Sequence, residues 1–536
     1  MDGSILLPRT HNALNDFYQL HFREAVQRGD QIPYVWPYRS FGTYVLLAYL
    51  LLPPTKSRVV RYAFYPTFAF FSYWSWKTMI ETKSASMAIG YLIGIANSWA
   101  ALWIASRTIF TDYRTATRIE RQSHYPAQKA TVVRQDVSNL SPQTRDAFER
   151  RRVGGRSKRE DTTTSSSPHS SSQTRDGSYY WQTLPSRFSE RLDFIIDLLC
   201  SMRGPGWAHQ ARSIPGPPEY IASQLKPHPL STKSVVREYK DRQSLLRANM
   251  IRILKFQIYL DIIKTLMTYD PYFLGFVEPT PPAPTFFPAL IRDSPVLTKS
   301  YRLVLALFAT RIALGMIFCL SPIFFSGVLG PKVIGLRAES WYYSDFGGDW
   351  QYLLSHGIAG WWGAWWHQMF RLGFEAPSKW ACEKLGLPQR SVSGKTATLL
   401  IVFACSGIVH AFGSMNMYPE TKPWSGPFLF FMLQAVGVLL ESVLTYGLKT
   451  TGITQRTPQT IKKIVMVIWL ATWIYYTGPV LIDDFSRGGV WLFEPIPFSI
   501  LKMLGFGEEN DHWWRWRARN IFWYSGGTWW KSGIAL

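Results

Sequence analysis

Cysteine is scarce in this 536-residue chain: Cys200, Cys319, Cys382 and Cys405 are the four present. None stands at a metal-pair spacing and two lie in apolar runs, so neither a disulfide framework nor a zinc site is expected. Acidic residues are also few, 36 Asp and Glu against 58 Lys and Arg, for a formal net charge of +22. No Gly-x-Ser-x-Gly elbow occurs, so an acyl-enzyme serine has no support. No internal repeat stands out, and the paired half-structures typical of many transporters are correspondingly unsupported. The opening "MDGSILLPRTHNALNDF" has an early acid and an apolar run too short for a cleaved signal peptide, so the first true span is expected to serve as the membrane anchor.

Apolar and aromatic side chains are abundant instead, at 47% and 16%, with 24 tryptophans. The mean hydropathy of −0.05 averages two unlike populations, long apolar blocks and one polar, basic stretch. Seven blocks are long enough to cross roughly 30 Å of hydrocarbon. They lie at about 36–53, 62–80, 87–105, 303–325, 397–412, 427–447 and 464–482. The amphipathic stretches 251–269 and 358–371 either add to these or lie in the interface, giving roughly seven to nine spans. The expected fold is therefore all-α: a polytopic integral membrane protein, with N-terminal transmembrane helices over 1–110, a basic Ser/Thr-rich loop over 111–190 and a C-terminal membrane domain over 191–536.

The loop contains "ERRRVGGRSKRE" followed by "TTTSSSPHSSSQT". Such a composition buries no apolar area and is expected to be disordered. Its charge fits a cytosolic loop beside membrane spans better than a nucleic-acid surface, and no nucleic-acid partner is expected. The sequon Asn139-Leu140-Ser141 lies in this loop and must stay unmodified if the loop is cytosolic.

Two constellations stand out in the C-terminal domain. In "TATLLIVFACSGIVHAFGSMN", Ser406, His410 and Ser414 fall four apart on one helical face, beside Gly407 and Gly413. A buried histidine satisfied by a helix neighbour is the bland reading. At membrane depth, however, an ionisable group is costly and tends to face a cavity with a task. In "HGIAGWWGAWWHQMFRLGF", the tryptophans fit an interfacial aromatic belt. Gly363, His367 and Arg371 also stand at four-residue steps and would line one face of a helix. A neutral buried imidazole can take a proton from an alcohol, which suits direct attack of a hydroxyl on an acyl thioester. Gln434, Glu441 and Arg311 are further polar groups inside apolar runs, read as packing or tunnel-lining groups rather than catalytic ones.

The segments "WWGAWWHQMFR" (361–371) and "SGIVHAFG" (406–413) resemble the signature of the wax synthase branch of the membrane-bound O-acyltransferase superfamily. The likeness is to fungal acetyltransferases of terpenoid and meroterpenoid secondary metabolism in particular, and "RGPGW" (203–207) is similar to another family element. The resemblance covers roughly Arg203 to Trp530, with the specific motifs within 355–416. It implies helices around an intramembrane reaction chamber, His410 as catalytic base and His367 at the site that orients or polarises the acyl thioester. Trp366, Arg371, Ser406 and Asn416 are the expected substrate-binding residues. No cofactor or metal is expected to be bound; acetyl-CoA serves as co-substrate and a hydrophobic alcohol as acceptor, in the bilayer of the endoplasmic reticulum. Ala364 and Trp365 stand where the family often has two arginines, which moves the expected coenzyme A contacts to Arg371, Lys379 and Arg390, within a segment that also carries Lys384 and Lys395. The alternatives are a long-chain wax ester or sterol acyltransferase with a longer acyl tunnel, and a transporter in which the histidines relay protons.

Overall fold

The computed structural model describes residues 7–55, 57–122, 178–229, 234–508, 511–516 and 521–536. Most of the basic loop, with Asn139, lies outside the described residues. Twelve helices of ten or more residues occur among those described: α1 (His11–Arg28), α2 (Phe41–Leu50), α3 (Phe64–Glu81), α4 (Met87–Thr108), α5 (Phe188–Cys200), α6 (Arg242–Thr268), α7 (Pro295–Pro322), α8 (Gln351–Gly360), α9 (Arg371–Lys384), α10 (Val392–Met415), α11 (Leu429–Thr450) and α12 (Gln459–Arg487). The chain is thus mainly helical, as its apolar blocks predict.

Among the described residues, five helical stretches are long and apolar enough to cross a membrane: Met87–Thr108, Pro295–Ala338, Val392–Met415, Trp424–Thr450 and Gln459–Arg487. The expected blocks near 36–53 and 62–80 form the shorter pair α2 and α3 instead, packed where Gly42 meets Trp74. The amphipathic 251–269 stretch belongs to the 27-residue α6, antiparallel to α7 with Gly315 against Phe256. Small residues let the spans approach closely, as membrane helices require in the absence of a hydrophobic drive between them. A Cβ on Gly94 of α4 would sit 2.1 Å from the Phe412 carbonyl oxygen of α10, and one on Gly437 of α11 would sit 2.6 Å from the Trp473 ring of α12.

Residues 1–119 and 181–536 form one compact unit and 120–180 a second. In the second, only the residues at either end are described, where the Gln122 amide donates to the Ser178 carbonyl at 2.8 Å. In the first, the N-terminal helix α4 and the motif helix α10 are direct neighbours, so the N-terminal helices help build the C-terminal domain. The chain ends meet on one face: strand Val35–Trp36 pairs antiparallel with Gly533–Ala535, which pairs with Phe522–Tyr524. Beneath this sheet α1 is tied to the C-terminal segment, its His11 amide donating to Glu508 at 2.8 Å.

Candidate active site

Helix α10 starts at Ser391, whose hydroxyl accepts the Gly394 amide at 3.0 Å, and runs apolar to Met415. Near its far end, His410 Nδ1 lies 2.8 Å from the Ser406 backbone carbonyl. A carbonyl oxygen only accepts, so Nδ1 carries the proton and Nε2 carries the lone pair. The ring packs 4.4 Å from that of Phe431 and 6.3 Å from that of Tyr91. Gly407 and Gly413 do not open space beside it. They are filled by the neighbouring elements, where Cβ atoms would meet Phe428 and Tyr91 at 2.9 Å.

The tryptophan segment is not one helix. Helix α8 breaks at Gly357, where φ is 47° and ψ −125°. The amides freed by the break, at Ile358 and Ala359, donate to the Glu441 carboxylate of α11 at 2.8 and 3.2 Å, and Trp469 Nε1 donates to it at 3.0 Å. A wide π-helical turn over Trp361–Trp365 follows, closed by the Trp366 amide on the Trp361 carbonyl at 2.7 Å, and Trp366 is extended at φ −72°, ψ 161°. Gly363, His367 and Arg371 therefore do not share a helical face, contrary to their spacing. Gln368 holds the break together: its amide donates to the carbonyls of Trp362 and Trp366, both at 3.0 Å, and its oxygen accepts from Arg371 at 2.9 Å. Arg371 in turn bonds Glu375 at 2.7 Å. Burial, reinforced by His410, Arg311 and Arg203, pulls the His367 imidazole down to about 3, so it is neutral at physiological pH.

The two histidines come together despite the break. His367 and His410 line the same cavity of about 510 Å³, with Trp366, Ser406 and Arg371. A volume of this size accommodates a drug-sized ligand. Its walls are aromatic and aliphatic inside, and its rim carries Arg212, Arg371, Lys379 and Lys395.

Residues 346–433 match the profile of the membrane bound O-acyl transferase family, and the match spans both histidines, the break and Phe431. Curated relatives include the acetyltransferase spyB of Aspergillus fumigatus, 30% identical over 22% of this chain and 22% of its own. The acetyltransferase aurG of Calcarisporium arbuscula is 26% identical over 22% of this chain and 28% of its own. The acetyltransferase nanB of Aspergillus nanangensis is 25% identical over 28% of this chain and 36% of its own. The chain thus spans 22% to 36% of the length of these relatives. No solved structure matches it.

Within the family segment not every expected residue reaches the cavity. Asn416 does not: it is 1% exposed, and its amide donates to the carbonyls of Thr82 and Met79 at 2.6 and 3.1 Å. It ties the end of α10 to the end of α3. Ser414, third on the polar stripe, is likewise buried and donates to Asp484 of α12 at 2.7 Å. Gln434 donates to Thr477 at 3.1 Å and Glu441 caps the broken helix, so both serve helix packing. Of the expected cationic contacts, Arg371, Lys379 and Lys395 line the rim, whereas Lys384 and Arg390 do not. Arg371 and Lys379 both bond Glu375, and although burial opposes it, these bonds draw that carboxyl below its ordinary range. Arg212 on the rim and Gln368 at the break were not singled out by spacing; the Trp-His-Gln tripeptide, already quoted in the motif, was the available signal for Gln368.

"RGPGW" shapes the approach to this segment. Arg203 donates to the carbonyls of Asp345 and Ser344 at 2.7 and 2.8 Å, immediately before the family segment begins. Gly204 and Gly206 adopt φ of 65° and 76°, and a Cβ on Gly206 would sit 2.5 Å from the Tyr342 hydroxyl, so glycine is required there.

Proposed function

We propose that the chain is an acyl-CoA-dependent O-acyltransferase that moves an acetyl group from acetyl-CoA to a hydroxyl of a hydrophobic polycyclic acceptor. The observation that carries this reading is the Nδ1 bond of His410 to the Ser406 carbonyl, which leaves Nε2 as the basic nitrogen of a ring that lines the cavity. Nε2 takes the proton of the acceptor hydroxyl as its oxygen attacks the thioester carbonyl carbon. The tetrahedral intermediate places negative charge on the former carbonyl oxygen, where a neutral His367 donates a hydrogen bond. Collapse breaks the carbon–sulfur bond, forms the ester, and returns the proton from His410 to the departing thiolate. Arg212 and Lys395 on the rim supply cations for the coenzyme A phosphates, beside Arg371 and Lys379.

The acetyltransferase names of the relatives support acetyl as the transferred group, and the apolar walls support a hydrophobic acceptor. Residence in the endoplasmic reticulum membrane, with the basic loop on the cytosolic side, completes the proposal. The test is coenzyme A release from radiolabelled acetyl-CoA by membranes carrying wild type or His410→Ala, offered polycyclic alcohols and a fatty alcohol. Transfer to a polycyclic alcohol that vanishes in the variant is the expected result. Undiminished transfer by His410→Ala would remove the base assignment, and transfer only from long-chain acyl-CoA would reassign the enzyme to wax ester or sterol ester formation.

A further inference from the structure

A second cavity of about 560 Å³ lies on the other side of the segment that bears His367, with Met369 and Phe346 in its wall. Phe346 also faces the His367 ring at 5.6 Å, so the two cavities share one partition. Arginines 203, 252, 311 and 337 line this second cavity together with Asp193, Asp197 and Asp345. Three of the four arginines are engaged. Arg203 is held by two carbonyls, Arg252 pairs with Asp345 at 3.0 and 3.1 Å, and Arg337 pairs with Asp193 at 2.5 and 2.8 Å. The acids are engaged as well, Asp345 also by the Tyr239 hydroxyl and Asp197 by Arg118.

Arg311 is the exception. Its guanidinium lies 4.6 Å from the centre of the Phe346 ring and 5.4 Å from that of Trp365, and its Nε is buried without a hydrogen-bond partner. No acid or carbonyl pairs with it among the described residues. It stands within Pro295–Ala338, the longest and most apolar of the membrane-length stretches among the described residues. An unpaired cation at such depth is expensive and calls for a counter-charge. The walls around it, including Phe318, Cys319 and Phe346, favour an apolar body.

We propose that this second cavity is a binding site for a hydrophobic carboxylic acid, whose carboxylate pairs with Arg311 while its apolar body fills the space lined by α5, α6 and α7. A carboxylate matches the planar guanidinium in two parallel bonds and carries the single charge that one unpaired arginine needs. A phosphate would bring further negative charge and a hydration shell, whereas the other three arginines of the lining already have partners. The site does not depend on the acyl-transfer reading.

The test is equilibrium binding of radiolabelled palmitate to the purified full chain in uncharged detergent, with hexadecanol, inorganic phosphate and coenzyme A as competitors. Saturable binding that weakens at least tenfold in Arg311→Gln, and is not displaced by hexadecanol, is expected. Arg311→Gln should unfold at the same temperature as wild type or higher without ligand, because it removes a partly buried charge that has no acidic partner. Phe318→Trp, which fills the cavity and keeps the charge, should also weaken binding. Equal palmitate binding by wild type and both variants, or equal competition by hexadecanol, would overturn the proposal. Displacement of palmitate by phosphate or coenzyme A at lower concentrations than by unlabelled palmitate would assign the site to a phosphate and overturn it too.

Discussion

His410 owes its tautomer to a backbone atom, because the acceptor of its Nδ1 proton is the carbonyl of Ser406 rather than the serine side chain. This separates the two residues experimentally. Replacing His410 with alanine should lower turnover by at least the 10²- to 10⁴-fold that a general base contributes, with membrane insertion unchanged. Ser406→Ala keeps the carbonyl, so the tautomer survives, and turnover in the same assay should fall by less than about tenfold. Asn416 gives the opposite pattern. Its alanine variant leaves buried carbonyls of Thr82 and Met79 without a donor, costing about 1–3 kcal/mol of stability. Thermal unfolding should report that loss while activity per folded molecule stays near wild type.

At the scale of elements, the deciding feature is the break in α8. A carboxylate from α11 satisfies two amides that the kink at Gly357 releases. Negative charge at the start of the resumed helix also opposes its dipole favourably. Glu441→Ala should therefore loosen the whole Trp361–Arg371 segment, lowering the unfolding temperature and the turnover together. Glu441→Gln retains one acceptor oxygen and should fall between wild type and alanine on both readouts. The extended Trp366 explains why helical spacing misplaced Gly363, His367 and Arg371: an even four-residue rhythm describes a continuous helix, and the chain leaves the helix between Gly363 and His367.

Across the whole molecule, the chain ends are joined by a buried charge cluster. Lys502 lies 2.7 Å from Asp511, and Arg515 pairs with Asp511 at 2.5 Å and with Glu494 at 2.6 Å. His11 of α1 stands 3.7 Å from Glu494 and faces Lys264, Lys502 and Arg515, and it is 2% exposed. Burial, aided by these cations and opposed by Glu494, pulls His11 down to about 3 from its ordinary 6.5. The unfolded chain therefore binds this proton more readily than the folded one between those values. The resulting stability is complete above pH about 6.5 and is lost as pH falls toward about 3, at up to roughly 1.4 kcal/mol per pH unit. Unfolding temperatures measured from pH 7 to pH 5 should fall, and His11→Gln should flatten that slope. Removal of about residues 150–175 should change neither expression nor activity, since a composition this rich in Ser, Thr and basic residues offers little apolar area to bury.

By itself the sequence determined the solvent, the class and the two histidines. Runs of apolar residues dictate a helical membrane chain because only internal hydrogen bonds satisfy the backbone in lipid. The Trp-His-Gln and Ser-Gly-x-x-His segments marked the region that the family match later covered. Tertiary structure decided what periodicity could not. It set which side of α10 faces the cavity, so that Ser406 reaches it while Ser414 and Asn416 are held in contacts with α12 and α3. It supplied the break that brings His367 to His410, through Glu441 and Gln368, whose partners lie on other helices or across the turn. It also left Arg311 without a counter-charge beside a second cavity. Local sequence encodes a helix and its faces; partners distant along the chain choose where that helix stops and which of its polar groups remain free.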